Sequence, residues 1–203
     1  VIINCAAYTA VDKAEEEQEL ANQINHLAVK QLANIANEQK AKLIHISTDY
    51  VFDGESDKPY IETDTPNPIN IYGKTKLAGE KALQEIMPTD VIIIRTSWLY
   101  SEFGNNFVKT MLRLGKERDE INVVSDQIGS PTYATDLANA ILEIIDNKDY
   151  QDKQQSTEIY HYSNEGEISW YEFAKEIFKI AEVNCKVNPI TTQQYPTPAQ
   201  RPK

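Results

Sequence analysis

Glycine is scarce, with seven in 203 residues and none arranged as G-x-G-x-x-G or a close variant. Backbone N–H groups of such a turn, at a helix N-terminus, are what cradle a dinucleotide pyrophosphate, so that half of a cofactor site is not expected here. Cysteine is scarcer still. Cys5 and Cys185 are too few and too distant for a disulfide framework, and a buried thiol at each position in a reducing cytoplasm is the expectation. Basic residues are outnumbered, 20 against 31 acidic, for a net charge of −11. That balance argues against nucleic acid or an anionic membrane surface as the main partner, although Lys109, Arg113 or Arg201 could meet a pyrophosphate locally. No apolar run approaches the roughly 20 residues that span a bilayer, and no signal peptide is visible. No His, Cys or carboxylate pair has metal-ligand spacing, so no catalytic metal is expected. An initiating methionine is also absent. The chain opens on Val1-Ile2-Ile3-Asn4, which reads as a buried strand.

What is there alternates strand and helix. Leu43–Tyr50 is an apolar run breaking into hydroxyls, and Val91–Ile94 is a second buried run; short apolar runs of this kind read as parallel strands. Leu20 to Lys40 reads as a helix with Ile24, Leu27, Ala28, Leu32, Ile35 and Ala36 on its apolar stripe and Asn25 beside it. Asp53 to Pro68 is a loop of about 15 residues, long enough to suggest a function. Gly73 to Met87 reads as a helix between Pro68 and Pro88. Asn105–Gly115, Asp136–Ile145 and Ser169–Glu182 follow as helices, with Ile121–Val124, Ile159–Ser163 and Val187–Ile190 as strands and Asp149–Glu158 as a polar connector. His26 reads as surface, His45 as a core or sheet residue, and His161 as part of a strand. The alternation implies an α/β fold with a doubly wound parallel sheet and a smaller lobe. Ligands in such folds gather at the carboxyl ends of the strands.

Tyr72 and Lys76 stand four apart at the start of the Gly73–Met87 helix, on one helical face. A free tyrosine titrates near 10, and a neighbouring ammonium is expected to lower that value and make the phenol a usable acid or base. Spacing alone decides little: with 11 tyrosines in 203 residues, about one such pair arises by chance. Tyr171 and Lys175 are a second pair, but they lie on an amphipathic helix with Trp170, Phe173, Ile177 and Phe178, and read as packing plus surface. Tyr72 alone follows a strand that ends in Ser47-Thr48-Asp49.

Ser47-Thr48-Asp49-Tyr50-Val51-Phe52-Asp53-Gly54 and Tyr72-Gly73-Lys74-Thr75-Lys76-Leu77-Ala78-Gly79-Glu80 resemble the extended short-chain dehydrogenase/reductases, and within them the dTDP-4-dehydrorhamnose reductases. Asn4–Glu15, Arg95–Tyr100, Gly104–Phe107 and Asp126–Thr132 extend the resemblance in order through most of the chain. The resemblance implies a Rossmann-like sheet lacking its N-terminal strands, with residues 1–100 the later half of a nucleotide-binding domain and 101–203 mainly a substrate lobe. In the strand order 3-2-1-4-5-6, the strands here would be 4, 5 and 6. It implies catalysis by Tyr72, Lys76 and Thr48, cofactor contact by Ala7, Tyr8, Thr9, Ile46, Tyr72 and Lys76, and substrate contact by Thr48, Asp49, Tyr50 and Trp98. The implied reaction is reduction by NADPH or NADH of the C4 ketone of dTDP-4-dehydro-6-deoxy-L-mannose. Asn25 is a relay candidate by the same resemblance, and an ordinary capping or helix-bending residue otherwise.

Two alternatives stay open. A nucleotide-sugar 4,6-dehydratase or epimerase has similar blocks, but dehydratases follow the threonine-aspartate pair with glutamate, and here Tyr50 follows. The regulatory subunit of methionine adenosyltransferase shares the fold and binds a partner instead of reducing a sugar. A homodimer is allowed for. Because the glycine-rich turn is missing, the 203 residues alone are expected to be a poor reductase, with the Val1–Asn4 strand an open sheet edge prone to pairing.

Overall fold

A computed structural model describes residues 1–148, 150 and 156–202; most of the polar connector expected at Asp149–Glu158 lies outside the described residues. The chain begins with β1 (Ile2–Asn4), α1 (Val11–Ala14), α2 (Gln18–Asn22), a π-helical turn (Gln23–Leu27), α3 (Ala28–Glu38) and β2 (Leu43–Thr48). A 3-10 turn (Asp49–Val51), α4 (Ile71–Ile86), β3 (Val91–Thr96), β4 (Leu99–Tyr100), α5 (Phe107–Glu117) and β5 (Glu120–Val124) follow. Then come β6 (Ile128–Gly129), β7 (Thr132–Tyr133), α6 (Ala134–Asp146), β8 (Glu158–Tyr162), β9 (Ile168–Ser169), the Trp170–Ile180 helix and β10 (Lys186–Ile190). The chain divides into two compact units: residues 1–96, 140–162 and 197–202 form the first, and 97–139 with 163–196 the second.

The first unit is a four-stranded sheet in the order β1-β2-β3-β8, every pair parallel. Three strands were expected; β8 is the fourth, brought back by a later segment to pair Ile92–Thr96 with Glu158–Tyr162. Branched residues fill β2 and β3, and all six positions of β3 are buried, as a parallel strand covered on both faces requires. Val29, Ala33 and Ala36 of α3 and Leu83 of α4 pack with Met87 against Leu43, Val91 and Ile93. Fully burying a side chain such as Leu83 contributes about 1.5–3 kcal/mol.

Two expectations are corrected at this end of the sheet. β1 is not buried: Val1 is 61% and Ile3 43% exposed, because among the described residues β1 pairs only with β2. Cys5, in the loop that follows, is exposed, whereas Cys185 is buried. The 20–40 helix is also turned from the expected stripe. The π-helical turn at Gln23–Leu27 inserts extra winding, so Ala21, Asn25, Val29, Ala33 and Ala36 face inward while Leu27 and Ile35 are exposed.

The second unit holds a parallel pair, β5 with β10, beneath α5 and the Trp170–Ile180 helix. That helix starts with a capping box in which Ser169 and Glu172 satisfy each other's backbone N–H groups. Ala174, Ile177 and Phe178 pack with Met111, Ile121 and Val123. Lys175 lies over the Tyr171 ring at 5.2 Å, the packing-plus-surface role expected for that pair.

Candidate functional site

Tyr72 is placed by the start of α4, which begins two residues earlier than the sequence pattern suggests and so includes it. Asn70 caps the helix, its side chain accepting from Gly73 N at 2.8 Å. Its own amide donates to the Gln200 carbonyl at 2.8 Å. Ile71 N–H, another donor of the first turn, is satisfied by Glu15 Oε1 at 2.9 Å. Gly73 is required by close approach: a Cβ there would lie 2.1 Å from the Tyr50 carbonyl oxygen. Tyr50 and Tyr72 meet edge to face with centroids 5.4 Å apart.

Thr48 ends β2 and is buried. Its hydroxyl donates to Asp49 Oδ1 at 2.9 Å and accepts from Tyr50 N at 3.2 Å. Burial pushes Tyr72 up to about 12, opposed by the nearby Thr48 hydroxyl and reinforced by the Asp49 carboxylate. Burial likewise lifts Asp49 to about 6, opposed chiefly by the Thr48 hydroxyl, and lifts Tyr50 above its ordinary value. The lysine was expected to lower Tyr72. It does not act there, because the Lys76 amine runs under β2 and donates to the Ile46 carbonyl at 2.7 Å, with His45 Nε2 at 3.4 Å. Desolvation brings Lys76 down to about 8, against the pull of Glu80 and Cys5. Tyr72 is therefore a phenol that holds its proton, and Lys76 an amine that gives one up readily.

The loop before α1 is held from behind. Asn25 accepts from Tyr8 N at 2.8 Å and donates to Tyr8 O at 3.1 Å and Thr75 Oγ1 at 3.2 Å. This completely buried residue ties Ala7-Tyr8-Thr9 to α4. Tyr8 hydroxyl donates to Glu17 at 2.5 Å, which raises the phenol to about 12. Thr48, Asp49, Tyr50, Tyr72, Lys76, Ile46 and Ala7–Thr9 all belong to the first unit.

Trp98 belongs to the second unit. It takes a left-handed backbone (φ 46°) two residues after β3 and stacks on Trp170 with centroids 3.4 Å apart. Gly129 lies against its indole, where a Cβ would come within 2.5 Å. The long loop after Asp53 is organised by that carboxylate, which accepts from Tyr60 hydroxyl at 2.6 Å and Asn67 at 2.8 Å and is held down at about 2. A recess of about 480 Å³ among Ile92, Ile94, Ala140 and Ile144 includes none of the expected site residues.

Three supports were missed from sequence. Arg95 and Glu80 form a buried ion pair, bidentate through Nε and Nη2, and Ser47 donates to the same carboxylate. An arginine closing the apolar run Val91–Ile94 was its available signal. Arg201 donates to Asp12 at 2.7 Å and its charge reaches Tyr50; nothing local in the sequence links residues so far apart. His45 was read as a core residue without its bond to the catalytic lysine candidate.

A parallel sheet thus carries a strand-end threonine near a helical tyrosine, with a lysine one turn on. Over residues 1–203 the sequence matches the family described as the RmlD substrate binding domain, and the chain belongs to that family. It is 48% identical over 208 residues to the dTDP-4-dehydrorhamnose reductase of Escherichia coli (strain K12), spanning all of this chain and 69% of that protein. It is similar in structure to a dTDP-4-dehydrorhamnose reductase from Bacillus anthracis str. Ames in complex with NADP, with a TM-score of 0.92 and 49% identity over 99% of this chain and 69% of that one. A dTDP-4-dehydrorhamnose reductase from Clostridium acetobutylicum gives a TM-score of 0.91 at 48% identity, over 98% of this chain and 68% of its own.

Proposed function

We propose that this chain carries the catalytic part of an NAD(P)H-dependent reductase that converts the C4 ketone of dTDP-4-dehydro-6-deoxy-L-mannose to the alcohol of dTDP-L-rhamnose. The observation that carries this is a partly buried Tyr72 at the start of α4 that keeps its proton beside Thr48, in a chain 48% identical to a named reductase. The nicotinamide, when bound, supplies hydride. The residues present fit its ribose end: the Lys76 amine keeps a donor beyond the one used on Ile46 O, and the Ala7-Tyr8-Thr9 loop is clamped by Asn25.

As charge develops on the ketone oxygen, Tyr72 donates its proton there. Thr48 hydrogen-bonds the same oxygen and polarises the carbonyl. To do so its hydroxyl must turn from Asp49. Proton donation of this kind contributes about 10²–10⁴-fold. Asp49, Tyr50 and Trp98 are assigned substrate contacts. Tyr50 supports reduction over dehydration, since a phenol held above its ordinary pKa cannot serve as the carboxylic acid that expels water.

No helix among the described residues is long and apolar enough to cross a membrane. A reducing cytoplasm is the proposed setting, supported by an exposed, unpaired Cys5. The full-length protein, assayed with the ketosugar nucleotide and each nicotinamide in turn, should oxidise the cofactor and form dTDP-L-rhamnose. Sugar binding without cofactor oxidation would overturn the reading.

A further inference from the structure

His45 is completely buried on β2, yet both of its ring nitrogens have polar neighbours. Asn4 Oδ1 accepts from Ala6 N at 3.2 Å, so the Asn4 amide must present its NH₂ to the other side. There it meets His45 Nδ1 at 3.0 Å. Flipping the amide would set NH₂ against N–H at Ala6. The hydrogen-bond network therefore makes Nδ1 an acceptor, and in a neutral imidazole the proton then sits on Nε2. That Nε2–H faces Lys76 Nζ at 3.4 Å.

We propose that Asn4 and His45 are a positioning pair for Lys76: Asn4 fixes the Nε2–H tautomer of His45, and that N–H holds the lysine amine against the Ile46 carbonyl. An ammonium has only donors and gains nothing from an Nε2–H, whereas a neutral amine accepts it through its lone pair. The pair thus favours release of the lysine proton. The other groups facing the amine oppose this: Glu80 from α4 and Cys5 from the loop after β1 both favour the ammonium. Desolvation and the Lys76 charge keep His45 itself neutral, well below its ordinary value. The pH limb expected in the enzyme rests on the reductase reading; the tautomer and its hold on Lys76 do not.

The test begins with nitrogen NMR of the imidazoles in the intact chain. It has three histidines, so substitutions at His26 and His161 assign the His45 signals. The expected result is a bare Nδ1 and a protonated Nε2 through neutral pH. A proton on Nδ1, or on both nitrogens, overturns the proposal whatever the enzyme does. The second arm titrates Lys76 by NMR in wild type, His45→Gln and Asn4→Leu. Glutamine can turn an amide oxygen to the ammonium, so the Lys76 ionisation should rise by about one pH unit or more. Loss of the Asn4 donor frees His45 to switch tautomer and should move the ionisation the same way. In the full-length enzyme the pH limb due to Lys76 should shift in parallel, with KM for the sugar unchanged. An unmoved Lys76 ionisation in folded variants would reduce His45 to packing. A shifted ionisation in a protein without reductase activity would uphold the pair and refute the reductase reading instead.

Discussion

Removing the carboxylate of Glu80 should be among the most damaging single changes in the first unit. Glu80 lies two helical turns after Tyr72 on α4 and is 1% exposed, and Arg95 on β3 is 4% exposed. Their contacts are 2.7 Å to Nη2 and 3.1 Å to Nε, and Ser47 of β2 donates to the same group. One carboxylate therefore joins α4 to both central strands. Arg95 Nη1 has no hydrogen-bond partner among the described residues, so when the carboxylate goes the guanidinium keeps only its contact with the Phe52 ring, 5.2 Å from the centroid. Breaking a buried pair from one side costs about 3–5 kcal/mol, because the remaining charge is left uncompensated. Against a typical total of about 5–15 kcal/mol, that is a large share. Urea unfolding of Glu80→Leu should show this loss. The double variant Glu80→Leu with Arg95→Met should recover most of it, since an apolar pair of similar size carries no desolvation penalty. A loss below about 1 kcal/mol in the single variant, or equal losses in single and double, would show that the pair does not hold α4 on the sheet.

Gly73→Ala places a methyl 2.1 Å from the Tyr50 carbonyl; it should destabilise by about 1–3 kcal/mol and depress turnover by moving Tyr72, and unfolding and kinetics that match wild type would remove the close-approach argument. Asp49 titrates at about 6 in contact with Thr48, so kcat should show an ionisation near pH 6 that Asp49→Asn abolishes; an inflection that persists would assign it elsewhere. Lys76 falls from 10.5 to about 8 on folding. Between those values the unfolded chain binds more protons, so stability rises with pH by up to about 3 kcal/mol. Lys76→Met should lack that rise between pH 8 and 10, and an unchanged slope would contradict the shift.

The parts of the fold that were readable came from local patterns. Leu43–Thr48 and Val91–Thr96 announce parallel strands because their burial on both faces demands unbroken apolar runs. Ser169 and Glu172 mark a helix start within three residues. What escaped depended on winding and distance. A π-helical turn leaves no signature in residue spacing, yet it rotates Leu27 and Ile35 outward and Asn25 inward. The place of β8 beside β3 is fixed by pairing across more than sixty residues, which alternation does not reveal. At the site, the tyrosine, lysine and threonine were legible as a set, but the direction of their electrostatics was not. Lys76 was expected to act on Tyr72, and instead it bonds the β2 backbone. Only coordinates show which way a long flexible side chain turns.

The most direct measurement is turnover of the full-length protein after Tyr72→Phe, with Tyr171→Phe as the control. Phenylalanine keeps the edge-to-face contact with Tyr50 and removes only the proton donor. The account predicts at least about a hundredfold loss of kcat with cofactor binding intact, and near wild-type turnover for Tyr171→Phe. Unchanged turnover in Tyr72→Phe, with cofactor still bound, would contradict it.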